Sequence, residues 1–169
     1  TSRNVSPVEA AVVSVTQFHA GETWNVIPAE VVLRGTTRAF SPQVQDILEA
    51  GVRRVTAGID AAYGTTSGVR YERRYPPTVN TPAEAGRAAD AMRRLVGDAN
   101  VHTALPPTMG AEDFAFMLQV KPGAYGWIGN GSGEGGCVLH NPRYDFNDDI
   151  LPLGAAYWVT LVEQELARG

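Results

Sequence analysis

Val8-Glu9-Ala10-Ala11-Val12-Val13-Ser14-Val15-Thr16-Gln17-Phe18 is rich in β-branched side chains, with Val13, Val15 and Gln17 alternating against Val12, Ser14, Thr16 and Phe18. Branched side chains are stiff at χ1 and fit a pleated surface, and a period of two predicts a strand. His19-Ala20-Gly21-Glu22-Thr23 follows as the turn. A second strand is expected over residues 26–39, bending at Pro28, which has no amide hydrogen and belongs at an edge or a bulge. The two strands make an antiparallel hairpin with a five-residue connection.

Working outward, Ser41-Pro42 carries a helix-start signal: serine is a good N-cap and proline suits the first helical position. Val44, Ile47, Leu48, Val52, Val55 and Ile59 follow i, i+3, i+4 spacing, so one face of that helix is apolar, and Gly64 is the expected stop. Residues 69–75 alternate again and close on Pro76-Pro77, predicting another strand. The order β-β-α-β lacks one leading strand and helix of a split β-α-β sandwich of the ferredoxin-like type. The expectation for this half is a three-stranded sheet with one helix across it. Such a sheet makes a poor independent domain, so truncation is expected.

Pro76-Pro77-Thr78-Val79-Asn80 marks a boundary, giving expected domains 1–79 and 80–169. Thr81-Pro82-Ala83-Glu84 repeats the N-cap, proline and acidic first-turn pattern, with a helix to Leu95 or Val96. A short helix is expected over 112–118, a short buried strand over 124–128 and a final helix over 152–167. Phe114, Trp127 and Trp158 are expected in the core. The stretch 129–136 is a glycine-rich loop.

The chain has 169 residues, a formal net charge of −4 and a pI of about 5.3. Mild acidity argues against a nucleic-acid partner, which usually demands a basic face. No apolar run approaches the ~18 residues that span a bilayer. A lone cysteine, Cys137, allows no internal disulfide and suits a reducing, cytoplasmic setting; it reads as a small buried or loop thiol.

The chemistry-bearing stretch is Leu139-His140-Asn141-Pro142-Arg143-Tyr144-Asp145-Phe146-Asn147-Asp148, where a histidine follows the glycine loop and precedes a proline turn. Neutral imidazole is the commonest metal ligand and the usual base near neutral pH, but one histidine also caps turns, and by itself it is no site. The loop is no phosphate cradle, because no Gly-Lys-Ser/Thr occurs and the loop leads to His140.

This stretch resembles the closing motif of the M20 metallopeptidase family, in its hippurate hydrolase and N-acyl-amino acid amidohydrolase branch. Phe18-His19-Ala20-Gly21-Glu22-Thr23-Trp24-Asn25-Val26-Ile27-Pro28 resembles the turn and Asn-Val-Ile-Pro of that family's lid. Arg34-Gly35-Thr36-Thr37-Arg38-Ala39-Phe40 and Met109-Gly110-Ala111-Glu112-Asp113-Phe114 match in the same order. The resemblance implies an α/β and α+β chain: the later part of a ferredoxin-like lid or dimerisation domain in 1–79, and the C-terminal part of a di-metal hydrolase catalytic domain in 80–169.

By the same resemblance His140 is a metal ligand, and Asn25, His19 and Gly110 face the substrate. The cofactors are two divalent ions such as zinc or manganese. The substrate is an N-acyl amino acid, and a homodimer forms through the lid; no nucleic acid or membrane partner is implied. The family's other ligands (a Cys-x-His segment, an acidic pair and a further histidine) and its glutamate base map upstream of residue 1. No catalytic residue is therefore assigned within this chain, which is expected to be inactive alone. Asp145 and Asp148 are candidates to hold the second nitrogen of His140. Glu112 and Asp113 read as a helix start, Arg38 as a strand-end ion-pair partner and His102 as a surface residue. A non-catalytic dimerisation or small-ligand-binding module of ferredoxin-like topology is the alternative.

Overall fold

The computed structural model describes residues 3–131 and 139–166, which divide into two compact units. The first comprises residues 1–77 with 108–113, the second 78–107 with 114–169.

In the first unit, β1 (Ala11–Ala20) and β2 (Val31–Ala39) form an antiparallel two-stranded sheet. The second strand starts later than residue 26, so Pro28 lies in the connecting loop, residues 21–30, and not in a ladder. Gly21 turns the chain there with φ +65°, and the Pro28 ring packs close to it. The longer loop has a physical cause: residue 28 offers no donor for a rung.

The ladder has a bulge. Val15 pairs with Gly35 but Gln17 with Arg34, which leaves Thr16 as the extra residue. Opposed residues share a face, so Ala11, Val13, Val15, Phe18 and Ala20 line up with Ala39, Thr37, Gly35, Leu33 and Val31. The other face carries Gln17 and His19 beside Arg34 and Val32, and Val12 beside Arg38. Unbroken alternation would have put Phe18 on the polar face and His19 on the apolar one; the bulge exchanges them. Gly35 makes the bulge possible, because a Cβ there would lie 2.2 Å from the Ser14 carbonyl oxygen.

Helix α1 (Pro42–Tyr63) follows the expected bounds. The Ser41 hydroxyl accepts from the Val44 amide at 3.2 Å, and Gly64 ends the helix at φ +68°. Val44 and Leu48 are buried with Val5 and pack on Ala11 and Ala39, one end of the apolar sheet face. Each large side chain so buried contributes about 1.5–3 kcal/mol. Farther along the sheet Val15 and Phe18 stay exposed, at 66% and 67%.

The strand expected over 69–75 is absent: among the described residues the segment has no regular secondary structure and joins no ladder. Side chains dock it on α1 instead. Arg53 donates to the Val69 carbonyl at 3.1 Å, and Arg73 bridges Asp46 at 2.7 Å and Glu49 at 2.8 Å. Glu49 sits below the usual carboxylate range, chiefly through its hydrogen bond from Arg53 and then that from Arg73. The expected three-stranded sheet is thus two-stranded, because a segment becomes a strand only when a neighbour takes its amides and carbonyls.

In the second unit, α2 (Pro82–Val96) and α4 (Leu151–Glu165) pack together, with Arg87 paired to Glu165 at 3.4 Å and the Gln164 amide donating to the Arg87 carbonyl at 3.1 Å. Thr81 precedes α2 but does not cap it through its side chain; its hydroxyl accepts from the Gly123 amide at 3.2 Å. The short helix α3 (Phe114–Val120) begins after Glu112 and Asp113.

Residues 124–128, expected as a buried strand, join no ladder and form no regular secondary structure. The Asn80 side chain takes the place of a partner strand, accepting from the Tyr125 amide at 2.8 Å and donating to its carbonyl at 2.9 Å. Trp127 and Trp158 are not core residues, being 59% and 64% exposed, whereas Phe114 is half-buried, its ring tilted 40° against Tyr125 at 5.8 Å. The buried positions described in this unit are alanines, Ala89, Ala91 and Ala115, small side chains that let backbones approach. Among the described residues no helix is long and apolar enough to cross a membrane.

Candidate metal-ligand turn

His140 lies in the second unit, exposed, at φ +70°. It is the one non-glycine residue with positive φ among the described residues. Side chains seldom occupy this left-handed region, although histidine is among those enriched there. The next residues wind into a turn: the Tyr144 amide donates to the Asn141 carbonyl at 2.9 Å, and the Arg143 amide to Asn141 Oδ1 at 2.9 Å. Pro142 needs no amide acceptor there.

Among the described residues the His140 ring makes no hydrogen bond, and neither Asp145 nor Asp148 holds its second nitrogen. The Asp145 carbonyl accepts from Asn130 Nδ2 at 2.9 Å instead. Asn147 closes the neck of the segment: its amide donates to Asn130 Oδ1 at 2.8 Å and its Nδ2 to the Asn130 carbonyl at 3.2 Å. Asn147 Oδ1 also caps the 3₁₀ turn Asp148–Ile150 that leads into α4. The two asparagines went unnoticed in the sequence, where each reads as an ordinary loop residue. The available signal was an asparagine inside the glycine-rich stretch, at 130, and another shortly after the histidine, at 147.

Cys137 and most of the glycine loop, residues 132–136, lie outside the described residues.

The substrate-side candidates belong to the first unit. His19 is a strand residue opposite Val32 and not part of the turn as expected. Asn25 is exposed in the loop between β1 and β2 and does not adopt the left-handed conformation. Gly110 is exposed, has no positive φ, and would bring an added Cβ no closer than 3.7 Å to Thr108 Oγ1, so no steric need for glycine exists there. No hydrogen bond among the described residues links His19, Asn25 and Gly110. Among the described residues Arg38 has no ion-pair partner; its guanidinium donates to the Met109 carbonyl and so ties the Met109-Gly110 segment to the polar face of β2. His19 shares that face, six residues along β2, about 20 Å away.

No group of three or more His, Cys, Asp and Glu that would hold a metal occurs among the described residues. An exposed imidazole without a hydrogen-bond partner among the described residues fits a divalent ion as one donor. It does not by itself make the three- or four-ligand protein set of a zinc site.

The chain belongs to the peptidase family M20/M25/M40, whose model matches residues 7–164. It is 36% identical to IAA-amino acid hydrolase ILR1-like 6 of Arabidopsis thaliana, over 98% of this chain and 37% of that protein. With thermostable carboxypeptidase 1 of Saccharolobus solfataricus the identity is 32%, over 92% of this chain and 39% of the relative. The chain therefore spans less than two fifths of the length of these relatives. Among solved structures it resembles the Bacillus subtilis YXEP protein, described as a dinuclear metal binding peptidase of the M20 family. The TM-score is 0.70 at 29% identity, covering 92% of this chain and 42% of that one.

Proposed function

We propose that this chain is the later part of a metal-dependent amidohydrolase that cleaves the amide bond of N-acyl amino acids. The observation that carries it is His140, an exposed imidazole with no hydrogen bond among the described residues, held on a left-handed turn in a chain matched by the M20 family model. The relative named for IAA-amino acid hydrolysis supports an N-acyl amino acid substrate, and the neighbour described as dinuclear supports two divalent ions. In this proposal residues 1–79 belong to a lid that makes a homodimer, residues 80–169 belong to the catalytic domain, and the enzyme is cytoplasmic.

Each residue then has a distinct task. His140 donates one imidazole lone pair to a metal. Asn25 donates a hydrogen bond to the substrate, His19 helps polarise the scissile carbonyl, and the backbone at Gly110 lies against the substrate carboxylate. The ions, when bound, acidify water and polarise the carbonyl.

Two variants of the intact enzyme test this side by side, with metal per chain and amide hydrolysis measured in each. His140→Ala lowers metal content and turnover together; Asn25→Ala lowers turnover with metal content unchanged. Full metal and normal turnover in His140→Ala would show that the histidine is an ordinary turn residue.

A further inference from the structure

We propose that Asn147 is a positioning residue for His140, acting through a clasp with Asn130 that sets the metal affinity of the site. This rests on His140 being a metal ligand.

Every polar atom of Asn147 is engaged. Its amide and Nδ2 donate to Asn130 Oδ1 and to the Asn130 carbonyl, at 2.8 and 3.2 Å. Its Oδ1 accepts from the Asp149 amide at 3.1 Å and its carbonyl from the Ile150 amide at 3.1 Å. Asn130 adds the bond from its Nδ2 to the Asp145 carbonyl at 2.9 Å. Gly131 beside the clasp has φ +84°, and a Cβ there would stand 3.4 Å from Asn147 Nδ2.

These bonds fasten the histidine turn to a rigid element. Asn141 to Tyr144 forms the turn, Asp145 and Asn147 are pinned to Asn130, and Asn147 caps the 3₁₀ turn into α4. A left-handed side-chain-bearing residue persists when its surroundings over-determine it. Releasing the clasp lets His140 relax to negative φ, which swings the imidazole away from one fixed point. A metal site tolerates displacements of only ~0.5 Å or about 10–20°.

The chemistry requires an amide at 147. Aspartate there would replace the Nδ2 donor with an oxygen facing the Asn130 carbonyl. Aspartate at 130 would keep the acceptor for the Asn147 amide and lose only the donor to Asp145.

The test uses the intact enzyme and Zn²⁺ competed against a chelator, with far-UV circular dichroism and thermal melting as checks on folding. Asn147→Ala and Asn147→Asp weaken zinc binding about 10–100-fold, as loss of a group that orients a metal ligand typically does; Asn130→Asp weakens it less. In a His140→Ala background, Asn147→Ala adds no further loss, because its effect runs through the histidine. Wild-type zinc affinity in both Asn147 variants, with affinity lost in His140→Ala, overturns the clasp and leaves the ligand intact. An equal loss with and without His140 also overturns it, marking Asn147 as merely structural. Unchanged zinc affinity in His140→Ala removes the ligand itself and the proposal with it. If the Asn147 variants do not fold, Asn130→Asp with and without His140 decides by the same comparison.

Discussion

Gly35→Ala destabilises the hairpin, and the structure gives the size of the effect. The added Cβ would sit 2.2 Å from the Ser14 carbonyl oxygen and 3.1 Å from Val15 Cα. Both are backbone atoms of the facing strand, so relief requires the strands to part at the bulge. Overpacking typically costs ~1–3 kcal/mol, and contact with backbone instead of a flexible side chain places this case at about 3 kcal/mol. Gly58→Ala is the matched control. Gly58 lies inside α1 with nothing within 4 Å of its added Cβ, so the same methyl stabilises by about 0.8–1 kcal/mol through helix propensity. Urea unfolding reads both: with m of about 1–3 kcal/mol/M, Gly35→Ala lowers the midpoint by roughly 1 M or more while Gly58→Ala raises it. A Gly35→Ala protein as stable as the parent, or a shift of the same sign in both variants, would refute the close approach at the bulge.

Two further outcomes are expected. Stability falls in acid: hydrogen bonds from Thr65 and then Ser67 hold Asp60 low, and those from Arg53 and Arg73 hold Glu49 low. Depressed carboxylates contribute stability that is present above their ordinary values and lost as the pH drops through their folded ones. A pH series of unfolding midpoints below about pH 4.5 therefore declines, and Asp60→Asn flattens part of the decline; an unchanged slope would remove Asp60 from the cause. The 169-residue chain alone binds zinc weakly and hydrolyses no amide, checked by equilibrium dialysis and product assay; tight stoichiometric zinc with chelator-sensitive activity would contradict this.

The helices were legible because their information is local. Ser41, Pro42 and Gly64 bound α1 within its own sequence, and the i→i−4 bonds between them need no distant partner. The histidine turn was legible in part. Its residue types and order identified the family, but nothing in Asn130 or Asn147 taken singly announces a bond between positions 17 apart.

The sequence by itself determined the bounds of α1 and α2, the pairing of two strands in a hairpin, the family motifs and His140 as the candidate ligand, whereas α3 begins two residues later than expected. Tertiary structure alone decided three things. It left residues 69–75 and 124–128 without ladders, since a strand exists only where another chain segment meets its backbone. It inserted Thr16 as a bulge, moving His19 to the polar face and Phe18 to the apolar one, an outcome that depends on the missing side chain of Gly35 across the sheet. And it joined Asn130 to Asn147 around the histidine, because hydrogen bonds of this kind are made by proximity in space and leave no period in the chain.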